Sequence, residues 1–243
     1  MKQAISFDFS KRANLSEFPE LMDQPCSFEE LRACLESIAS VNRLTHAYAP
    51  TFHWLNYVLS RLPIQARPLH IVDVGCGYGD LLRRIAVWAL DRKLPVRLTG
   101  IDLNADAVRA AREVTVPGTV TYLHGNAFDF RPAEGIDLIV SSLMTHHMQN
   151  QEIIDFVDWM ESTARVGWFI NDLHRQPVPY HFFRILSRLT TWHPFVKHDG
   201  PVSILRSFLP EEWVELCSAA GLVRETYAVR EYWPARLCVA RLR

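Results

Sequence analysis

The stretch of the chain best suited to chemistry carries three glycines at alternate positions, Gly75, Gly77 and Gly79, directly after the apolar segment 69–74. That segment has the length of a buried strand, and apolar residues recur at helical spacing after Asp80. A strand, a loop and a helix in this order gather unpaired backbone N–H groups and the positive end of the helix over one point. Since glycine has no Cβ, a ligand can approach this backbone closely. The stretch therefore predicts a cradle for a small ligand.

Two acidic residues occupy positions that suit a nucleoside ligand. Asp73 lies near the end of the first strand, and Asp102 ends the second, 23 residues after Gly79. A carboxylate in the second position can accept hydrogen bonds from both ribose hydroxyls, each contributing about 1.5–3 kcal/mol. Asp102 could instead cap the following helix, although Asn104 is better placed to do so. Because NAD enzymes use an acid at the same place, Asp102 alone does not separate the two cofactors.

The order Asp73-x-Gly75-x-Gly77-x-Gly79 resembles the first motif of the class I S-adenosylmethionine-dependent methyltransferases. It departs from the dinucleotide fingerprint G-x-G-x-x-G, because Asp80 stands where the third glycine would fall. The resemblance implies that S-adenosylmethionine is the cofactor and S-adenosylhomocysteine the product. It also implies that the acidic strand residue and the glycine loop hold the amino acid end of the cofactor.

Two later segments are similar to further motifs of that family. Gly125-Asn126-Ala127 resembles the Gly-Asp-Ala segment that contacts adenine, with an asparagine that keeps the acceptor oxygen without the charge; a simple turn is the alternative interpretation. Residues 137–147 resemble the fourth motif and its loop. Arg43, in a helix before the first strand, supplies a positive charge for the cofactor carboxylate. The predicted cofactor-binding residues are Arg43, Asp73, Gly75, Cys76, Gly77, Gly79, Asp102, Leu103, Asn126, Ala127, Ser142 and Leu143.

Residues that follow two other strands are candidates for the chemical step. His146 and His147 come after the fourth strand, and Asp172 and His174 come after the fifth. Histidine is the side chain best suited to remove a proton near neutral pH, so these four are the predicted catalytic residues. The alternatives are that the adjacent histidines only pack and hydrogen-bond their loop, and that Asp172 and His174 form a polar strand end.

Strand and helix patterns alternate from about residue 66 onward, and this alternation determines where the loops lie. It is typical of a parallel sheet with helices on both faces, whose strands present ligand-binding loops at their carboxyl ends. We therefore predict an α/β fold with a seven-stranded, mostly parallel, doubly wound sheet of the Rossmann-like methyltransferase type. The expected strands are 69–74, 98–101, 120–123, 136–140, 166–170, about 222–229 and 236–242.

Two regions fall outside this alternation. Residues 1–65 contain two helical patterns and are predicted to form an N-terminal helical lid, which the segment 63–68 links to the methyltransferase domain at 66–243. Residues 173–209 are predicted to be a substrate-cap insertion with one helix and a loop at 198–201. The aromatic residues of this insertion favour an apolar or aromatic acceptor.

Composition excludes several classes of protein. Apolar residues make up 49% and charged residues 22%, which is ordinary for a globular chain with a large core. A net charge of −1 provides no field to attract nucleic acid, and no apolar run reaches membrane-spanning length. The five cysteines show no C-x-x-C spacing. We expect a cytoplasmic monomer or homodimer that binds neither nucleic acid nor a metal and does not insert into membranes.

These observations predict an S-adenosylmethionine-dependent methyltransferase that acts on a small aromatic, phenolic or polyketide-like molecule. O-methylation with a histidine base is the expected reaction, and C-methylation of an activated aromatic or quinone-like ring stays open. Two alternatives come from other classes. An NAD-dependent oxidoreductase is disfavoured by the glycine spacing and by Asn126-Ala127, and a non-catalytic nucleoside-binding protein is disfavoured by the intact loop. A metal site built from Asp172, His174, His198 and Asp199 lacks supporting His-x-x-x-His or cysteine spacing.

Overall fold

The computed structural model describes residues 7–62 and 67–243. Within them, seven strands form one sheet: β1 (Leu69–Val74), β2 (Val96–Asp102), β3 (Thr121–His124), β4 (Ile136–Ser142), β5 (Ala164–Leu173), β6 (Tyr227–Tyr232) and β7 (Arg236–Leu242). Their order is β3-β2-β1-β4-β5-β7-β6. All neighbouring strands run parallel except that β7 is antiparallel to both β5 and β6. The predicted seven-stranded, mostly parallel sheet is confirmed.

Eight α-helices surround the sheet in the described residues. They are α1 (Phe28–Leu44), α2 (Ala49–Leu59), α3 (Asp80–Asp91), α4 (Ala105–Glu113), α5 (Asn150–Thr163), α6 (Pro177–Arg188), α7 (Pro194–Arg206) and α8 (Pro210–Ala219). None of the helices found in residues 7–62 and 67–243 has both the length and the apolar character needed to cross a bilayer. Residues 1–6 of the predicted lid and 63–66 of its predicted link lie outside the described residues.

Apolar side chains cover both faces of the sheet, so that each strand is held from two sides. Successive residues of a strand point to opposite faces, and Trp168 and Phe169 in β5 accordingly join different buried clusters. Phe156 of α5 and Trp213 of α8 pack in the first cluster, and Trp54 of α2 stacks on Phe169 in the second. This double covering fixes the strand ends that carry the polar residues of the site.

Two predicted boundaries are wrong. Asn171 and Asp172 do not follow the fifth strand but belong to β5, because they pair with Cys238 and Leu237 of the antiparallel strand β7. Strand β6 begins at Tyr227 rather than near residue 222, and a short 3-10 helix precedes it.

The predicted loop at 198–201 is also wrong, because these residues lie inside α7 despite Gly200 and Pro201. Tertiary contacts outweigh local propensity here. A Cβ on Gly200 would lie 2.1 Å from a ring carbon of Phe183, so only glycine allows this helix approach. The Asp199 carboxylate accepts hydrogen bonds from the backbone N–H groups of residues 21 and 22, which fixes the same turn from the other side.

Candidate active site

A cavity of about 1240 Å³ opens at the carboxyl ends of β1, β2 and β4. Its walls come from the glycine loop, from the ends of these strands, and from helices α1, α6 and α7. Ligands of open α/β sheets bind at this edge. Pockets for one drug-sized ligand measure about 300–1,000 Å³, so this cavity has room for a cofactor and an acceptor together.

The glycine loop adopts a backbone that side chains disfavour. The φ angles of Gly75, Gly77 and Gly79 are 70°, 48° and 71°, all in the left-handed region. A Cβ on Gly79 would lie 2.1 Å from the hydroxyl oxygen of Tyr122. This conformation brings the chain from β1 into α3 while the backbone of Gly75 and Gly77 lines the cavity.

Three buried polar atoms at this end of the cavity have no hydrogen-bond partner among residues 7–62 and 67–243. They are Oδ1 of Asp73, Oδ2 of Asp80 and the hydroxyl oxygen of Tyr48, and all three residues line the cavity. Burial, together with the charge of Asp102, raises the pKa of Asp73 well above its ordinary value. Unpaired buried acceptors are costly, so this set favours a ligand that brings an ammonium group and other donors. The amino acid end of S-adenosylmethionine fits that requirement.

Asp102 joins the glycine loop to the end of β2. One carboxylate oxygen accepts a hydrogen bond from the Gly77 N–H at 2.8 Å, and the other accepts one from the Asn104 N–H at 2.9 Å. Asn104, rather than Asp102, caps α4. Burial raises the pKa of Asp102 above its ordinary value, although the two backbone hydrogen bonds oppose this shift. Its carboxylate lines the cavity and retains lone pairs for the hydroxyls of a nucleoside.

Most of the predicted cofactor-binding residues line this one cavity. The Asn126 side-chain oxygen also accepts a hydrogen bond from the Phe128 N–H at 3.0 Å, which closes a turn at the cavity wall. Leu143, with φ of 57°, is held by its N–H bond to the Asn171 carbonyl oxygen. The lining members of the predicted set are Asp73, Gly75, Cys76, Gly77, Asp102, Leu103, Asn126, Ala127, Ser142 and Leu143.

Two members of the set lie elsewhere. Arg43 is exposed and does not line the cavity, whereas Asn42 and Thr45 of the same helix end do. Consecutive helical residues are rotated by about 100°, so the apolar face of α1 turns Arg43 away. The structure therefore does not bring Arg43 to the cavity with the other predicted cofactor-binding residues. Gly79 does not line the cavity either, and its carbonyl oxygen accepts a hydrogen bond from Tyr122 at 3.2 Å.

The catalytic candidates His146 and Asp172 form a buried pair at the cavity wall. His146 Nδ1 lies 2.7 Å from an Asp172 carboxylate oxygen, and His146 lines the cavity. Asp172 also accepts hydrogen bonds from Thr145 and from the backbone N–H groups of His146 and Leu173. Burial alone would raise the pKa of Asp172, but His146 and these donors hold it well below its ordinary value. An ionised Asp172 that accepts from Nδ1–H leaves His146 Nε2 to bind a proton.

The segment 7–23 packs against the loop that carries the histidines. Glu20 is 1% exposed, and its carboxylate lies 3.8 Å from His146 Nε2 and 3.6 Å from His147 Nε2. His147 Nδ1 is 3.2 Å from Asp23. Burial lowers the pKa of His147, but Glu20 and Asp23 outweigh it and raise that pKa above its ordinary value. Glu20 and Asp23 thus favour the protonated form of His147.

The structure does not bring together the side chains of His174, His198 and Asp199 at the cavity. His174 does not line it, and its Nδ1 lies 3.5 Å from Glu231 of β6. Its position after β5 turns His174 toward β6 rather than toward the cavity, so the structure does not bring it to the other catalytic candidates. Asp199 lines the cavity but binds the backbone of residues 21 and 22, and His198 contacts only Asp199 among the described carboxylates.

The cluster of potential metal ligands in the described residues is a different one, formed by Glu20, His146 and His147. Arg206 Nη1 lies 3.2 Å from Glu20, so this carboxylate already has a positive partner. Sequence reasoning missed Glu20 and Arg206. Neither belongs to a recognisable motif: Glu20 contacts the histidines, and Arg206 contacts Glu20, across more than 50 residues of the chain.

Replacing Asp172 with asparagine is expected to lower the free energy of unfolding at pH 7 by about 3 kcal/mol, because His146 and Thr145 lose a buried ionic acceptor. A carboxyl whose pKa is lowered by folding stabilises the protein above its unfolded pKa of about 3.9. That contribution is lost as pH falls toward the native pKa. Urea unfolding between pH 3 and 8 should therefore show a flatter acid limb for Asp172→Asn than for the parent. Asp158→Asn, a change on the exposed face of α5, is the control. Parallel stability–pH profiles of Asp172→Asn and the parent, or an equal loss of stability in Asp158→Asn, would contradict this expectation.

Comparisons with known proteins find methyltransferases that are similar to this chain. Residues 71–185 match a family model described as a methyltransferase domain. The chain is 24% identical over 196 residues to trans-aconitate 2-methyltransferase of Rhodopseudomonas palustris (strain BisB18), covering 65% of this chain and 71% of that protein.

Two solved structures with S-adenosylhomocysteine (SAH) have a similar fold. The plantazolicin methyltransferase BpumL superposes with a TM-score of 0.61 at 14% identity, covering 88% of this chain and 96% of that one. Magnesium protoporphyrin IX methyltransferase (ChlM) from Synechocystis PCC 6803 gives a TM-score of 0.54 at 13% identity, covering 83% and 84%.

Proposed function

Because the chain belongs to the class I S-adenosylmethionine-dependent methyltransferases, we propose that it O-methylates a small aromatic or phenolic acceptor. The observation that carries this proposal is the His146–Asp172 pair, which places an oriented imidazole at the wall of the cofactor cavity. Such a pair is the usual means of removing a proton from a hydroxyl near neutral pH.

The residues of the glycine-loop end would hold the cofactor. Asp102 binds the ribose hydroxyls, and Asn126 with Ala127 faces the adenine. Asp73 and Asp80 accept hydrogen bonds from the ammonium group, which supplies the partners that their buried oxygens lack. When bound, S-adenosylmethionine supplies an electrophilic methyl group on a sulfonium centre.

The residues of the chain then align and deprotonate the acceptor. His146 takes the hydroxyl proton at Nε2, while Asp172 holds the Nδ1–H and stabilises the charged imidazole that results. Glu20, 3.8 Å from Nε2, adds to that stabilisation. Alignment of two bound reactants supplies about 7–11 kcal/mol of the barrier, and a base adds about 10²–10⁴-fold in rate.

The walls beyond the histidines support an apolar acceptor. Phe182, Phe183 and Leu186 of α6 and Val196 of α7 line this part of the cavity. An apolar wall with few polar groups is typical of a site for a small organic molecule. The similar proteins are named for different acceptors, among them trans-aconitate and magnesium protoporphyrin IX, so they do not select one for this chain.

Two measurements test the proposal. Calorimetric titration should show that SAH binds and that NAD does not, whereas tight NAD binding without a response to SAH would contradict it. Phenolic and quinone-like compounds are then screened with methyl-labelled cofactor, and the added methyl is located by mass spectrometry and NMR. A methyl group on oxygen would support His146 as the base. A methyl group on a ring carbon would contradict O-methylation and indicate C-methylation instead.

A further inference from the structure

Arg236 is a buried arginine that lines the cavity without an anionic partner. It opens β7, where its backbone pairs with Leu173 of β5 and Tyr232 of β6. Its exposed fraction is 5%, and its Nη1 has no hydrogen-bond partner within residues 7–62 and 67–243. No carboxylate of those residues lies within 4 Å of its guanidinium.

Two other buried arginines of this protein each lie beside a carboxylate. Arg175 Nη2 lies 2.6 Å from Glu212, and Arg206 Nη1 lies 3.2 Å from Glu20. Both therefore have the carboxylate that a buried guanidinium requires. Arg236 differs from them in facing the cavity.

Asp172, which lies near enough to interact with the charge of Arg236, does not supply the missing partner. Its oxygens already accept hydrogen bonds from Thr145, from both the side chain and the backbone of His146, and from Leu173. Burial lowers the pKa of Arg236, and Asp172 opposes that shift only at a distance. A guanidinium is nevertheless effectively always protonated, so an anion is needed to offset its burial.

The sheet places Arg236 on the acceptor side of the cavity. β7 is separated from β1, which leads into the glycine loop, by β4 and β5. Three strand spacings amount to about 14 Å. Leu173, which pairs with Arg236 across the sheet, and Pro234, two residues before it, also line the cavity.

We propose that Arg236 binds a carboxylate of the acceptor. The acceptor is then an aromatic or apolar carboxylic acid, held by its carboxylate at Arg236 while its hydroxyl reaches His146. A planar guanidinium with parallel N–H donors matches a carboxylate in geometry as well as in charge. This inference rests on the proposed function and narrows its substrate class.

The test compares acids with their neutral amides in the presence of SAH. The probes are 4-hydroxybenzoate and 6-hydroxy-2-naphthoate, each against its carboxamide, titrated calorimetrically into the parent, Arg236→Lys and Arg236→Met. We expect at least one acid to bind the parent tenfold or more tightly than its amide. Arg236→Met should abolish that preference and Arg236→Lys should retain part of it. Arg230→Met, an exposed change on the adjacent strand β6, should leave it unaltered.

A second readout separates a ligand-binding role from a structural one. Since Arg236 loses no ion pair when replaced, Arg236→Met without ligand should melt at or above the temperature of the parent. A lower melting temperature together with a retained acid preference, or no preference of the parent for either acid, would overturn the inference. SAH alone is also titrated into the parent and into every variant. A parent protein that does not bind SAH would contradict the proposed function. A parent that binds SAH but shows no preference for the acids would contradict only the role of Arg236.

Discussion

Replacing His146 with alanine is expected to lower the rate constant of methyl transfer to a hydroxyl acceptor about 10²–10⁴-fold. The imidazole is 2% exposed, its Nδ1 is fixed by Asp172, and the residue lines the cavity, so its loss removes the proton acceptor and no other polar group. The affinity for SAH should stay within a factor of about two, since the predicted nucleoside contacts lie on β1, β2 and the loop after β3. Single-turnover kinetics with saturating cofactor measure the chemical step directly.

Three controls make this result interpretable. His181→Ala changes an exposed histidine of α6 and should leave the rate unaltered. Thermal melting of His146→Ala shows whether the variant remains folded despite the unpaired Asp172. Added imidazole should restore part of the lost rate, because the space left by the side chain admits a base of the same chemistry. An unaltered rate in a folded variant would mean that the acceptor needs no base, as in methylation of an activated ring carbon.

Replacing Asp102 with alanine is expected to weaken SAH binding at least about tenfold, which corresponds to about 1.4 kcal/mol. The physical reason is the loss of a carboxylate that accepts from both ribose hydroxyls and also holds the Gly77 N–H at 2.8 Å. Asp102→Asn keeps one acceptor oxygen and should lie between the alanine variant and the parent. Calorimetric titration of SAH measures all three affinities.

The controls for Asp102 address the fold and the charge. Asn104 caps α4 without Asp102, so circular dichroism of Asp102→Ala should match that of the parent. Asp91→Ala removes an exposed carboxylate at the end of α3 and should leave the affinity unaltered. Equal affinities of Asp102→Ala and the parent would refute the assignment of the ribose site.

The parts of the site that the sequence predicts are those determined by local backbone geometry. Gly75 and Gly77 follow an apolar strand and precede a helix. Their place at the ligand-binding edge of the sheet can therefore be predicted without knowledge of contacts between distant residues. The same holds for Asp102, because the end of a parallel strand is also the ligand-binding edge of the sheet. Strand periodicity therefore predicts both the sheet and the cofactor end of the cavity.

The acceptor end depends on contacts between distant parts of the chain. Glu20 is held near the histidines by α7, whose Asp199 binds the backbone of residues 21 and 22 and whose Ser203 donates a hydrogen bond to the Glu20 carboxylate. Gly200 and Pro201 predict a loop, and the contact of Gly200 with Phe183 makes a helix there instead. Arg236 has one local signal, a charge directly before the apolar run 237–240, but its lack of a carboxylate partner is visible only in three dimensions.

A crystal structure of the protein with SAH would show directly whether the glycine-loop cavity holds the nucleoside and presents its sulfur to His146. We expect the ribose hydroxyls to be hydrogen-bonded to Asp102, the ammonium group to lie at Asp73 or Asp80, and the sulfur to lie on the side of the cavity lined by His146. A nucleoside seated outside the loop, or a sulfur atom shielded from His146 by protein, would contradict it.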